Sequence, residues 1–217
     1  MKTKKNKILI LIVIIAGGVS ILFYNSKSVG YKVVENIYDT NIFYPGISFQ
    51  NKNKQNAAEK INGLIRDNLY GPYEFLKGTV AMDLHYDVIY MDKRYISVRY
   101  NGTYSDSSGH TGDICYGINI DLKAGELITI ERLLSKEGVE QLRNKIKNKD
   151  FETEYGMVTK DETYITLDEA LENQKIFDQT GNIFFFNIAQ NKILVILTGF
   201  PQYGGKYSIL QVQFPWK

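Results

Sequence analysis

The residues with the clearest potential for chemistry lie between positions 106 and 110. This polar stretch contains Asp106, Ser107, Ser108, Gly109 and His110. An imidazole here can act as an acid or base, or can bind a partner. Serines beside an aspartate are residue types of a nucleophilic triad, but a triad is defined by geometry. We favour binding or loop structure over catalysis, because the sequence shows neither an activated nucleophile nor a carboxylate that orients the ring.

The other histidine, His85, lies in a segment where polar and apolar residues alternate, which predicts a position on a sheet face. A zinc site made from His85 and His110 with Asp83 or Asp113 is an alternative. Two histidines and one cysteine in the whole chain offer few of the ligands that zinc prefers. The lone Cys115 also excludes an intramolecular disulfide. We expect no metal and no cofactor.

A second candidate binding segment lies near the carboxyl terminus. Residues 199–207 read GFPQYGGKY, and the three glycines and one proline predict an exposed turn between two strands. Tyr203 and Tyr207 in this turn would present aromatic surface to a protein or a sugar at low entropic cost. The alternative, that both tyrosines cover the core, remains equally open.

The amino terminus predicts a membrane anchor. The run Ile8–Tyr24 carries no charge, and as a helix it would nearly span a hydrocarbon core of about 30 Å. Four lysines precede it, so residues 1–7 form a short cytoplasmic tail and everything after Tyr24 lies outside the cytoplasm. A cleaved signal peptide is the alternative, but no small-residue cleavage pattern follows the run. We therefore expect a single-pass membrane protein with an extracytoplasmic globular part.

The distribution of charge argues against a nucleic-acid binder. The chain has 26 basic and 24 acidic residues, and four of the lysines precede the apolar run, which leaves 22 basic residues against all 24 acidic ones. The globular part therefore lacks the basic excess that phosphate binding requires. Residues 150–178 contain nine acidic and two basic residues. Such a stretch is usually a solvated surface, but it could also steer a basic protein toward the chain.

The pattern of elements predicts two units of strands beside a helix. After a linker at 25–30, residues 31–39 and 41–49 are rich in β-branched and aromatic residues, which favours two strands. Spacings of three and four from Ala57 to Leu69 predict a helix, and alternation from Met82 to Tyr100 predicts two long strands. The remaining expectations are a loop at 101–112, a helix at 131–149, and strands at 113–122, 182–187, 192–200 and 207–214.

This order favours an α+β architecture of antiparallel sheets, each packed with a helix. We expect two closely associated subdomains, at 31–112 and 113–217.

Residues 107–134, SSGHTGDICYGINIDLKAGELITIERLL, resemble the shared core of two adjoining extracytoplasmic domains of unknown function. These domains occur in the RsiV-type anti-sigma factors that sense lysozyme, and the first also precedes PdaC-type peptidoglycan deacetylases. Further similarity lies in Tyr44-Pro45 within NIFYPGISF, in the helix that begins near Asn56, and in ILVILTGFPQYGGKYSILQVQF at 193–214. The resemblance spans nearly all of the chain from Tyr31 to Phe214.

The resemblance implies a non-enzymatic binding module that recognises lysozyme, another cell-envelope protein or peptidoglycan. It places the partner at Ser108, Gly109, His110, Pro201 and Tyr203. It does not extend to the anti-sigma function, because the sigma factor is held in that family by a cytoplasmic domain and only residues 1–7 are expected there. The alternative function is a peptidoglycan-modifying hydrolase that uses His110.

Overall fold

The computed structural model describes residues 30–78, 81–148, 150–154, 184–189, 192–201 and 207–215. The expected anchor Ile8–Tyr24, residues 25–29 of the linker, residues 155–178 of the acidic stretch and Tyr203 lie outside these ranges. Within them, no helix has both the length and the apolar character needed to cross a bilayer.

The first sheet has six strands in chain order. They are β1 (Tyr31–Asp39), β2 (Ile42–Phe49), β3 (Ala81–Met91), β4 (Tyr95–Ser105), β5 (Thr111–Asp121) and β6 (Glu126–Leu127). Neighbouring strands are antiparallel except β2 and β3, which are parallel and meet at one pair, Ile42 and Leu84. This pair departs from the expected pattern because the helix α1 (Gln55–Asp67) and two 3-10 helices, Lys52–Lys54 and Gly71–Leu76, form a crossover between β2 and β3.

One face of this sheet packs against α1. Ala58, Ile61 and Ile65 recur at spacings of three and four and are all buried, so the helix presents one apolar side to the sheet. In the same core, Tyr100 and Tyr116 stack with their ring centroids 5.1 Å apart. Burial raises the pKa of both phenols well above the usual range, because water no longer solvates the ionised form.

The second sheet has four antiparallel strands in the order β7-β10-β9-β8. They are β7 (Glu152–Glu154), β8 (Phe184–Ala189), β9 (Lys192–Pro201) and β10 (Tyr207–Pro215). The helix α2 (Ile130–Lys147) packs on this sheet through Val139, Leu142 and Ile146, which bury against Phe184 and Phe186. The predicted α+β fold, with one helix on each sheet, is confirmed.

The prediction of a long loop at 101–112 is wrong. Residues 101–105 belong to β4 and pair with residues 111–115 of β5, so the connection comprises only residues 106–110. Gly102 contributed to the misleading turn composition, but a side-chain Cβ there would lie 1.9 Å from the carbonyl oxygen of Asp83. The glycine therefore permits close strand approach instead of marking a turn. Likewise, β9 continues to Pro201, so residues 199–201 are strand and not turn.

The expected division between 112 and 113 falls inside β5. The strands of the first sheet extend to Leu127, so this sheet and the expected first subdomain have different bounds.

Candidate functional site

The connection between β4 and β5, called here the tip (residues 106–110), is held together by one carboxylate. The Oδ1 atom of Asp106 accepts the backbone N–H groups of Ser108 at 2.8 Å and His110 at 2.9 Å. The N–H of Asp106 donates to the carbonyl of His110 at 2.9 Å, and the N–H of Gly109 donates to the carbonyl of Asp106 at 3.0 Å. Gly109 has a φ of +84°, a conformation that glycine adopts without strain. These hydrogen bonds therefore hold the backbone of the tip in one turn conformation between β4 and β5.

The same carboxylate orients the imidazole of His110. Its Oδ2 atom lies 3.1 Å from Nδ1, while the histidine side chain is 81% exposed. The expectation that no carboxylate orients this ring is therefore wrong. In the neutral tautomer that carries its proton on Nδ1, that atom donates to Asp106 and Nε2 is the acceptor for a partner or a proton.

The pKa of the Asp106 carboxyl lies below its usual value of 3.8. The largest cause is the hydrogen bond from the backbone N–H of His110, which favours the ionised carboxylate. Loss of solvation, the second-largest cause, opposes this effect, and the His110 ring and the N–H of Ser108 reinforce it. Folding therefore favours the ionised form of Asp106.

This pKa shift gives the tip a pH dependence with a definite sign. Stabilisation by Asp106 is fully present above the ordinary aspartate pKa of about 4, and it is lost as the pH falls through the lowered value. As the pH falls through the lowered pKa and Asp106 becomes protonated, we expect the NMR resonances of the Ser108 and His110 amides to shift toward the values of an unfolded chain. Asp106→Asn should abolish that transition in a pH titration by NMR. An unaltered transition in the variant would assign it to another group.

Behind the tip, a polar network stiffens the β4–β5 hairpin. Asp87 on β3 accepts from Arg99 Nη2 at 2.8 Å and from Asn101 Nδ2 at 3.3 Å. The thiol of Cys115 donates to Asn101 Oδ1 at 3.4 Å, and the guanidinium of Arg99 lies 5.6 Å from the centroid of the Phe185 ring. These contacts link β3, β4 and β5 to one another and, through Arg99, to β8.

Further from the tip, a buried pair ties the hairpin to the second sheet. Ser97 Oγ donates to Asn119 Oδ1 at 2.6 Å and accepts the N–H of Phe186 at 3.0 Å. Asn119 Nδ2 donates to the carbonyl of Phe184 at 2.7 Å. Both polar side chains are fully buried. These hydrogen bonds replace the ones that the two side chains make with water in the unfolded chain. Because they form only when Phe184 and Phe186 lie beside Asn119 and Ser97, they favour one position of β8 on β4 and β5.

Ser97 and Asn119 are not among the residues predicted from the sequence. Each lies between two isoleucine or valine residues, at a polar position of a strand in which polar and apolar residues alternate. Such a position is typical of the solvent-facing side of a sheet, so the local sequence carried no signal of burial. The bonding partner in β8 is 65 or more residues away in the chain, so the sequence did not reveal it.

Among solved structures, this chain is similar to a DUF3298 family protein from Pseudomonas aeruginosa PAO1, known from a crystal structure. The two chains are 12% identical, with a TM-score of 0.41. The match covers 84% of this chain and 88% of that chain. DUF3298 is the kind of domain found in RsiV-type and PdaC-type proteins. No protein-family profile and no curated protein matches the sequence.

His85 lies on β3, as the sheet-face prediction states, with its side chain 65% exposed. Its Nε2 atom lies 3.0 Å from Asp83 Oδ1, and its ring stacks on Phe43 with centroids 5.4 Å apart. In the described parts of the chain, no three His, Cys, Asp or Glu side chains come together as a metal-binding group.

The predicted site residues fall into two groups, one in each sheet. Ser108, Gly109 and His110 share the tip of the first sheet. Pro201 ends β9 and Tyr207 begins β10, and the two residues are directly paired across these strands in the second sheet. The structure therefore brings the members of each group together, with Tyr203 outside the residues it describes.

Proposed function

We propose that this chain is a membrane-anchored binding protein whose extracytoplasmic α+β part recognises lysozyme through the tip. The proposal rests on the fixed conformation of an exposed loop. Asp106 holds the backbone of Ser108 and His110 by hydrogen bonds while the His110 ring faces water. A loop that is already ordered loses little conformational entropy when it enters the cleft of an enzyme. Such a loop suits a binder or an inhibitor.

Two features of the sequence support the same function. The segment that most resembles the lysozyme-sensing family, residues 107–134, begins inside the tip. The acidic residues between 150 and 178 would attract a basic protein such as lysozyme and raise the rate of encounter. The anchor at Ile8–Tyr24 would hold the protein where it meets lysozyme outside the cytoplasm.

The chain's two histidines provide a matched test of this function. We expect the full chain in neutral detergent to bind lysozyme at low salt, and His110→Ala to weaken binding about tenfold or more, as loss of a central contact does. His85→Ala removes an exposed ring from the β3 face and should leave affinity unchanged. Surface plasmon resonance measures both effects.

Three outcomes would contradict the proposal as stated. The first is absence of lysozyme binding by the wild-type chain at low salt. The second is equal weakening by His110→Ala and His85→Ala, which would remove the tip from the contact. The third is sedimentation of the chain with purified peptidoglycan in the absence of any affinity for lysozyme, which would replace the proposed protein partner with the cell wall.

A second candidate function, hydrolysis of peptidoglycan, gains support from the Asp106–His110 contact. A carboxylate that fixes the imidazole is the arrangement that a general base needs. The ring's exposure of 81% counts against it, because water weakens the electrostatic effects on which catalysis depends. Release of soluble fragments from peptidoglycan, abolished by His110→Ala, would establish the hydrolase. Release that is equal in the variant and the wild type would reject it.

A further inference from the structure

One end of the first sheet carries a concentration of positive charge. This end, called here the base, consists of residues 30–32, 50–54, 92–94 and 122–125, which open β1, follow β2, and connect β3 to β4 and β5 to β6. It contains six basic residues and one acidic residue. The basic residues, all of them exposed, are Lys32, Lys52, Lys54, Lys93, Arg94 and Lys123.

The four segments of the base lie together. Three hydrogen bonds, each donated by one segment to a backbone carbonyl of another, join Gln50 to Gly30, Tyr31 to Asp92 and Leu122 to Arg94. The charge of Arg94 is balanced by the buried carboxylate of Asp121, 3.2 Å away. The five lysines form no salt bridge with any residue that the structure describes. They therefore give the base an unbalanced positive charge.

The opposite end of the sheet, which bears the tip, has the opposite charge. Residues 39–41, 81–83 and 105–113 contain four acidic residues and no lysine or arginine. The strand β4 runs from Tyr95 at the base to Ser105 beside the tip, a length of roughly 33 Å at about 3.3 Å per residue. The first sheet is therefore polarised in charge along its strands.

The chain enters this sheet at the base. Gly30 and Tyr31 lie there, and in the sequence they directly follow the expected anchor Ile8–Tyr24 and residues 25–29. Six linker residues, 25–30, span at most roughly 20 Å when fully extended. In an anchored chain, the base is therefore the part of the sheet that is held nearest to the lipid head groups.

We propose that the base docks on anionic lipid head groups of the membrane that holds the anchor. An anionic bilayer attracts each nearby lysine enough to favour the docked state roughly fivefold per residue. The same surface repels the acidic end of the sheet, so the docked sheet holds the tip away from the bilayer. The lipid contact is independent of what binds at the tip. Presentation of the tip to lysozyme by this orientation rests on the proposed function.

A fluorescent probe at each end of the sheet tests the docking. Full-length Asn53→Cys carries the probe at the base and Ser108→Cys carries it at the tip, and the native Cys115 is buried. In nanodiscs of mixed phosphatidylglycerol and phosphatidylcholine, nitroxide-labelled head groups should quench the probe at 53 strongly and the probe at 108 weakly. Phosphatidylcholine alone should not support this quenching, and high salt should reverse it, because ions screen the attraction.

Two matched double variants test which residues are responsible. Lys52→Gln combined with Lys93→Gln should lower the docking equilibrium constant about 25-fold, because each lost lysine costs roughly a factor of five. Arg66→Gln combined with Lys77→Gln removes the same charge from exposed positions outside the base and should leave docking unchanged. Quenching of the probe at 53 measures both effects.

Three results would overturn the docking. They are quenching at 53 that does not depend on phosphatidylglycerol, equal quenching at 53 and 108, and equal weakening by the two double variants. Release of the base by inorganic phosphate at constant ionic strength would also overturn it, because the base would then bind the free anion in place of a bilayer. A chain that docks as proposed but does not bind lysozyme would refute only the proposed function.

Discussion

Asn119→Ala should lower the free energy of unfolding by about 2–5 kcal/mol, measured by urea denaturation. The substitution removes two buried hydrogen bonds and leaves the carbonyl of Phe184 and the hydroxyl of Ser97 without the amide, in a place that water does not reach. An unsatisfied buried polar group costs about 1–3 kcal/mol. The cost is therefore larger than that of the bonds alone.

Two further variants define the cause of this effect. Asn53→Ala makes the same chemical change at an exposed position and should alter stability by no more than about 0.5 kcal/mol. Ser97→Ala combined with Asn119→Ala should cost less than the sum of the two single changes, because both residues belong to one network. If Asn119→Ala were as mild as Asn53→Ala, the network would not hold the two sheets together.

Gly117→Ala should destabilise the protein by about 3 kcal/mol. A Cβ atom at Gly117 would lie 1.9 Å from the carbonyl oxygen of Phe184 and 2.6 Å from the carbonyl carbon. Backbone atoms cannot rotate away as a side chain can, so β8 must move from β5 and the bond from Asn119 to Phe184 must stretch. Overpacking of this kind costs about 1–3 kcal/mol, and the stretched buried bond adds to it.

Gly63→Ala is the matched control and should have the opposite sign. A Cβ atom at Gly63, inside α1, would meet nothing within 4 Å beyond the backbone of its own helix, so alanine fits there without displacing a neighbour. Alanine in place of glycine within a helix stabilises by about 0.5–1 kcal/mol. Thermal and urea denaturation of both variants give the comparison. Similar melting temperatures for the two variants would show that β8 does not lie against Gly117.

The helices and most strands could be predicted because their signals are local. In α1, the spacing of Ala58, Ile61 and Ile65 places three apolar side chains on one side whatever the helix packs against. The strand β3 could be predicted for the same reason, since its alternation of polar and apolar residues requires only that one face of the strand is buried. These patterns were sufficient for the α+β fold.

Prediction failed where a residue's role depends on a distant strand. Asn101, Gly102 and Ser105 have the composition of a loop, yet ten backbone positions at the end of β4 and the start of β5 pair in register. Cross-strand pairing supplies a free energy that turn propensity does not contain. The candidate site shows the same limit, because the family resemblance pointed to Ser108, Gly109 and His110 while the role of Asp106 as their common acceptor was missed.

By itself, the sequence determined the fold class and the chain positions of both helices, since these follow from residue patterns within a few positions along the chain. Only the tertiary structure decided that Asp106 orients His110, that Ser97 and Asn119 hold β8, and that the exposed large apolar side chains among the described residues lie in β1. Those properties depend on the distances and directions between side chains, and only the folded chain defines them.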